Sequence, residues 1–276
     1  MRRADHGPPL QCGGAGYLRA GGAEATMRRM INPRVYLPRE CVEPPVVRLP
    51  EEVEHYLRVV LRLGVGSEFT AFTASGVEYR TRLAAEGAEI VEELPRREGP
   101  VVEVTLYQGL PKGKRWPLVI QKCTELGVTR IVPVMTARTI VRLEAREVQG
   151  KRERWQKIAV EAAEQSGGVA PPEVAEPVTW AEALAQWRAS GQAGVLLDET
   201  LAGEEGHGLR EALQGAREAR QVAVFVGPEG GLTPEEGRTG REAGLTAVSL
   251  GNRILRTETA AIVACALVVY ELGGLG

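Results

Sequence analysis

The residues with most chemical promise form one stretch, Val226-Gly227-Pro228-Glu229-Gly230-Gly231-Leu232-Thr233-Pro234-Glu235-Glu236. It leaves an apolar, strand-like run and ends in a helix start. Thr233 suits the cap, Pro234 the first helical position, and Glu236 completes a Thr-x-x-Glu capping box. Glycine has no Cβ, so backbone amides and carbonyls here can approach a ligand closely. In an open α/β sheet a ligand is expected at such carboxyl ends of strands. The stretch is not a P-loop, and no Gly-x-Gly-x-x-Gly follows a strand anywhere, which disfavours an ordinary dinucleotide fold. Alone, it also reads as a tight strand-to-helix turn that holds nothing.

A second segment, Leu250-Gly251-Asn252-Arg253-Ile254-Leu255-Arg256-Thr257-Glu258-Thr259-Ala260, also follows a strand and opens a helix. Two facing backbone loops at neighbouring strand ends can hold a flat adenine between them. Arg256 stands at the helix mouth, as a cation for a ligand or as a partner of Glu258 or Glu229. His55 lies on an amphipathic helix, where a core-edge histidine competes with a catalytic one. Arg58 and Arg62 are one helical turn apart and share a face, either solvated or turned to RNA. Trp116, Trp155, Trp180 and Trp187 have helical spacing and read as core.

The elements that position these residues fall into two grammars. Over residues 30–97 short strand-like runs dominate: Arg34–Leu37, Pro45–Leu49, Glu68–Phe72, Val77–Leu83 and Ala88–Leu94. One helix interrupts them, Glu51–Leu61, with Val53, Tyr56, Leu57 and Val60 on one face. This pattern predicts a small β-barrel. Pro95-Arg96-Arg97-Glu98-Gly99-Pro100 is a polar, proline-bounded hinge, and the domain boundary is placed there.

Residues 98–276 then alternate strand and helix. The strands are Val101–Gln108, Arg130–Val134, Gly194–Asp198, Gln221–Val226 and Thr246–Leu250. The helices are Trp116–Leu126, Lys151–Gln165, Trp180–Ser190, Gly208–Ala219, Pro234–Ala243 and Thr257–Leu272. That order predicts an α/β domain with a largely parallel sheet covered on both faces. Residues 1–29 are glycine-rich and aperiodic, and disorder is expected. Met27 or Met30 is expected to be the natural start, the leader being a start-site artefact.

With 276 residues, 43% hydrophobic and 25% charged, the chain reads as a soluble globular protein with a full core in each domain. The apolar run Ala260 to Tyr270 is about half of the ~20 residues that span a bilayer, so no membrane association is expected. The net charge of −2 announces no global basic field. Arginine far outnumbers lysine, which suits a local RNA-reading patch and equally suits a GC-rich genome. Cys12, Cys41, Cys123 and Cys265 are scattered without zinc or disulfide spacing. No metal is expected, and a reducing cytoplasm is the expected compartment.

The Gly-Pro-Glu-Gly-Gly loop, followed by Leu-Gly-x-x-Ile-Leu-Arg-Thr-Glu-Thr-Ala before an apolar C-terminal helix, resembles the SPOUT superfamily of knotted methyltransferases. More narrowly, it is similar to the ribosomal small-subunit methyltransferase E family. Supporting segments agree in order: Arg34-Val-Tyr-Leu, His55 to Arg62, Lys112-Gly-Lys, Gln121-Lys-Cys-Thr-Glu-Leu-Gly127, Arg138 with Arg142, Trp155-Gln-Lys-Ile-Ala, and Glu161 to Gly167. The resemblance covers about residues 30 to 273. One departure stands out. The family usually has arginine after Glu-Gln-Cys/Ser-Gly, where this chain has Gly168. If that arginine meets RNA or a partner subunit, the contact must come from elsewhere or be weaker.

The resemblance implies a trefoil-knotted parallel-sheet domain, a PUA-like RNA-binding barrel before it, and a homodimer. It implies S-adenosyl-L-methionine as methyl donor and N3 of a uridine in 16S rRNA, within the small (30S) subunit, as acceptor. The donor is expected at Gly227, Pro228, Glu229, Gly230, Gly231, Leu250, Gly251, Ile254, Leu255 and Thr259. Arg256 is expected to favour the anionic ring, since guanidinium keeps its proton and cannot be the base. Glu229 and Glu258 are candidate bases. Arg34, Arg58, Arg62, Arg138 and Arg142 are expected to hold RNA. Another RNA site, or a ribosome-assembly factor without catalysis, are the alternatives.

Overall fold

A computed structural model describes residues 32–201, 208–216, 218 and 220–275. The expected disordered leader, and the start site placed in it, lie outside the described residues. The first sheet has strands β1 (Arg34–Tyr36), β2 (Val42–Glu43), β3 (Val46–Val47), β4 (Glu68–Phe72), β5 (Glu78–Leu83) and β6 (Ala88–Glu93). Their order is β1-β4-β5-β6-β3-β2, with β1 parallel to β4 and the other pairs antiparallel. Alternation buries Phe69 and Ala71 of β4 on a small core with Val35, Leu57 and Leu83.

The helix expected over Glu51–Leu61 divides in two. Its regular part is α1 (Glu51–His55), and Tyr56–Val60 continue as a π turn closed by Leu61 N to Tyr56 O at 2.9 Å. A π turn advances more residues per revolution than an α-helix, so the expected apolar face breaks up. Leu57 is buried, whereas Tyr56 is 39% and Val60 59% exposed. His55 is exposed rather than at a core edge.

The second sheet holds β7 (Glu103–Gly109), β8 (Arg130–Met135), β9 (Glu173–Val174), β10 (Val178–Thr179), β11 (Ala193–Leu197), β12 (Gln221–Val226) and β13 (Thr246–Val248). Its order is β10-β8-β7-β12-β11-β13, with β9 also on β8, and its pairings are parallel. The helices are α2 (Arg115–Glu125), α3 (Ala145–Ser166), α4 (Trp180–Ser190), α5 (Leu209–Ala212), α6 (Pro234–Ala243) and α7 (Thr257–Glu271).

Both faces are covered, so strand residues alternate between two cores. Val222, Val224 and Val226 face one with Trp116, Trp155, Ala261 and Val268. Ala223 and Phe225 face the other with Tyr107, Ala183 and Trp187. Phe225 stacks on Tyr107 at 4.3 Å between ring centroids. Three of the four tryptophans are buried as expected, and Trp180 is half-buried with its edge toward Phe225. Helix α3 begins earlier than its apolar period shows, because its first turns are exposed and polar. The helix expected over Gly208–Ala219 shrinks to α5 and a short 3-10 turn, Gln214–Ala216. No helix among the described residues is long and apolar enough to cross a membrane.

The two sheets are tied at the C-terminal end of α3, where helix carbonyls carry partial negative charge. Arg34 donates to Ala163 O at 3.3 Å and to Glu78 at 2.7 Å. Arg97, from the expected hinge, donates to Gly167 O at 2.7 Å and to Glu78 at 3.3 Å. An arginine therefore does sit at this helix end beside Gly168, supplied by another part of the chain. Tyr36 N donates to Glu164 at 2.8 Å, and burial pushes the Glu164 carboxyl above the usual range.

Candidate active site

In a parallel sheet the carboxyl ends of the strands share one edge, and the two glycine-bearing loops meet there. Thr233 accepts from Glu236 N, and the Glu236 carboxylate accepts from Thr233 N, so the expected capping box forms at the start of α6. Glu236 also accepts from Ala137 N at 2.7 Å, backing the loop with the turn after β8.

Beneath the loops lies Gln108, fully buried at the end of β7. Its Nε2 donates to Gly109 O at 2.9 Å, Gly227 O at 3.1 Å and Thr257 Oγ1 at 2.9 Å. Thr257 Oγ1 in turn donates to Gly227 O. A side chain at Gly109 would meet Pro228 at 2.5 Å, so the loop rests directly on the strand end. Through these contacts β7, the loop after β12 and the start of α7 are joined.

Between the loops opens a cavity of about 330 Å³, within the range of small-molecule sites. Leu197, Val226, Val248, Leu250, Leu255 and Ala260 give it apolar walls. Of the residues expected at the donor and at the chemistry, Gly227, Pro228, Glu229, Gly231, Leu250, Gly251, Ile254, Leu255 and Arg256 line it. Gly230 and Thr259 do not. A Cβ on Gly230 would face the Arg138 side chain at 3.3 Å, and Thr259 points outward from the first turn of α7. These two positions are corrected: neither touches the cavity.

The charged groups sort differently from the pairing weighed for Arg256. Arg115 donates to Glu229 at 3.1 Å and lies 3.5 Å from Glu258. Glu229 also accepts from Lys112 N at 3.0 Å. Glu258 Oε2 is buried without a hydrogen-bond partner among the described residues, although the side chain borders the cavity. With both glutamates on Arg115, Arg256 is exposed at the rim and ion-paired to neither. Arg115, Asp198, Glu199 and Arg253 also line the cavity and were not among the expected residues. Arg115 directly follows the Lys112-Gly-Lys segment, the one signal near it.

The arginines expected on RNA divide. Arg34 is corrected to a structural brace. Its side chain is 13% exposed, bound to Glu78 and stacked over the Phe72 ring at 3.5 Å. Arg58 is likewise engaged, with Glu54 at 2.8 Å and the carbonyls of Ala84 and Ala85. Arg62 lies past the π turn in a left-handed conformation (φ 57), so it shares no helical face with Arg58. Arg138 holds Gly230 O at 2.8 Å and Leu232 O at 3.1 Å while staying exposed. Arg142 is exposed without an ion pair among the described residues.

The fit to an adenosyl ligand rests on this geometry: a cavity with apolar walls, the glycines Gly227 and Gly231, and charged side chains in its lining. A family model described as an RNA methyltransferase domain matches residues 97–269. Ribosomal RNA small subunit methyltransferase E of Bacillus subtilis is 32% identical over 239 residues, 84% of this chain and 93% of that protein. The protein of the same name from Synechocystis is 35% identical over 235 residues, 84% of this chain and 75% of its own. A crystal structure of ribosomal RNA small subunit methyltransferase E from Neisseria gonorrhoeae, bound to S-adenosyl methionine, matches with a TM-score of 0.75 and 33% identity. It covers 86% of this chain and 97% of that one.

Proposed function

Since the chain belongs to the ribosomal RNA small subunit methyltransferase E family, we propose that it methylates N3 of a uridine in 16S rRNA with S-adenosyl-L-methionine. The observation that carries this reading is the cavity between two glycine-bearing loops with Arg256, free of its neighbouring glutamates, at the rim. When bound, the donor supplies an electrophilic methyl on a sulfonium, whose leaving group is neutral.

The chain's own residues supply the rest. Gly227 and Gly231 present backbone groups, and Leu197, Val226, Val248 and Leu255 keep water from the slot. The uracil imide becomes nucleophilic only as its proton leaves and charge spreads over its carbonyl oxygens. Arg256 favours that anion. Glu229 is committed to Lys112 and Arg115, which leaves Glu258 the better acceptor for the proton. Alignment of nitrogen with the methyl comes from the joined loops.

In this reading residues 30–97 form the RNA-binding module and residues 98–276 the catalytic one, acting as a cytoplasmic homodimer on the 30S subunit. The trefoil threading belongs to the same proposal, with the loop after β13 closed onto Gly227 by Thr257. The target base has to be unpaired or extruded to reach the slot.

Nucleoside analysis of 16S rRNA from a deletion strain tests the proposal. 3-Methyluridine should vanish and return on complementation. Its persistence, with loss of a mark elsewhere, would move the activity to another RNA. Failure of the purified protein to bind S-adenosylmethionine in calorimetry would leave an assembly factor without catalysis.

A further inference from the structure

We infer that Glu199 recognises the ribose of the adenosyl ligand, its carboxylate accepting hydrogen bonds from the 2′,3′-diol; this rests on the cofactor reading above. Four acidic residues line the cavity: Asp198, Glu199, Glu229 and Glu258. Asp198 is satisfied by Thr200 Oγ1 at 2.6 Å and Arg241 at 2.9 Å. Glu229 and Glu258 share Arg115. Glu199 alone has no hydrogen-bond or ion-pair partner among the described residues, and its carboxylate is open to donors from a ligand.

Its position is set by close approach. A Cβ on Gly231 would stand 2.0 Å from Glu199 Oε1, and Gly231 itself has φ +68. The carboxylate thus lies against bare backbone of the Gly-Gly turn, inside the cavity wall. Glycine suits that left-handed turn, and without a Cβ it leaves room for the carboxylate.

The strand order says which part of the ligand this is. With Arg256 at the chemistry, the reacting end would lie over β7 and β12, where Thr257 and Gln108 fasten the residues beside Arg256 to Gly227. Glu199 follows β11, the next strand along, about 4.8 Å further. In an adenosyl sulfonium one methylene separates sulfur from the ribose ring. Bound so, the diol would fall about one strand spacing from the reacting methyl, at the end of β11. A vicinal diol offers two donors, and an ionised carboxylate accepts both.

Calorimetry on the full chain tests this with two probes, S-adenosylhomocysteine and 5′-methylthioadenosine, the latter lacking the amino-acid part. Glu199→Gln should weaken both by about tenfold or more, to the same degree. Weakening of S-adenosylhomocysteine alone would mean that the carboxylate meets the ammonium, and overturns the assignment. Unchanged affinity for both overturns it too. Should Glu199→Gln unfold, the wild-type protein reads the same contact from the ligand side. A 2′-deoxy or 3′-deoxy analogue of 5′-methylthioadenosine should then bind about tenfold more weakly, and equal binding of both analogues refutes the contact. If wild-type protein binds neither adenosyl probe, the cofactor reading itself falls, an outcome distinct from a silent substitution.

Discussion

Thr257 gives its hydroxyl proton to the carbonyl of Gly227 at 2.5 Å, fastening the first turn of α7 to the loop that follows β12. The same hydroxyl oxygen accepts from buried Gln108. Thr257→Val keeps the shape and deletes both bonds, at a cost of about 0.5–1.5 kcal/mol each. The expected result is a melting temperature lower by several degrees and weaker binding of S-adenosylhomocysteine. Melting and affinity like wild type would show that the two loops hold together without this link.

Two adjacent glycines should respond in opposite ways. Gly231→Ala puts a Cβ on a left-handed turn (φ +68) and pushes the Glu199 carboxylate aside, whereas Gly230→Ala meets only the Arg138 side chain at 3.3 Å. Gly231→Ala is expected to weaken binding of S-adenosylhomocysteine by about tenfold or more, and Gly230→Ala to change it by less than about threefold, under 1 kcal/mol. Calorimetry on both variants checks the order, and a reversed order would displace the cavity.

Arg256→Ala should leave folding and donor affinity intact, because its side chain is exposed and ion-paired to neither neighbouring glutamate. Turnover should fall on the order of 10²–10³-fold, as when one group that stabilises developing charge is removed. Single-turnover methylation of isolated 30S subunits measures this. An unchanged rate removes Arg256 from the chemistry.

Arg34 and Arg142 offer a contrast between structure and RNA contact. Arg34→Ala leaves Glu78 with Arg97 alone and frees the Phe72 face, so the expected loss is in thermal stability. Arg142→Ala should leave melting unchanged and lower the slope of log affinity against log salt for RNA by about 1. Filter binding across a salt series distinguishes them; a salt slope altered only by Arg34→Ala would reverse the assignment.

Glu164 makes stability depend on pH. Burial, the largest cause, raises its carboxyl above the usual value, and Glu161 adds to it against the Tyr36 amide and Arg34. The folded state therefore holds this proton longer than the unfolded one. Stability should decline as pH climbs from the ordinary carboxylate range through the raised value. Glu164→Gln, which can still accept from Tyr36 N, should flatten that decline and melt higher than wild type at pH 7. Parallel melting curves across pH for the two proteins would contradict it.

Much of this was legible in the chain itself. The unbroken apolar run of β12 announced a strand buried on both faces, and Thr233 with Glu236 announced the helix that follows it. Both are local signals. Arg115 and Glu199 were not legible, because their significance lies in partners far along the chain, Glu229 at a separation of 114 residues for the first and Gly231 for the second. Arg34 looked available for RNA until Glu78, 44 residues on, was seen to hold it. The π turn at Tyr56–Val60 left no mark in the apolar pattern, which keeps an ordinary helical period from Val53 through Val60.

Arg97, held between Gly167 and Glu78, makes a strut of what reads as a loose connector. If the first sheet grips RNA as proposed, that RNA would be offered to the cavity at one set reach. Target choice would become a matter of measured length along a folded RNA as much as of base identity, and lengthening the segment around Gly99 would retune the gauge.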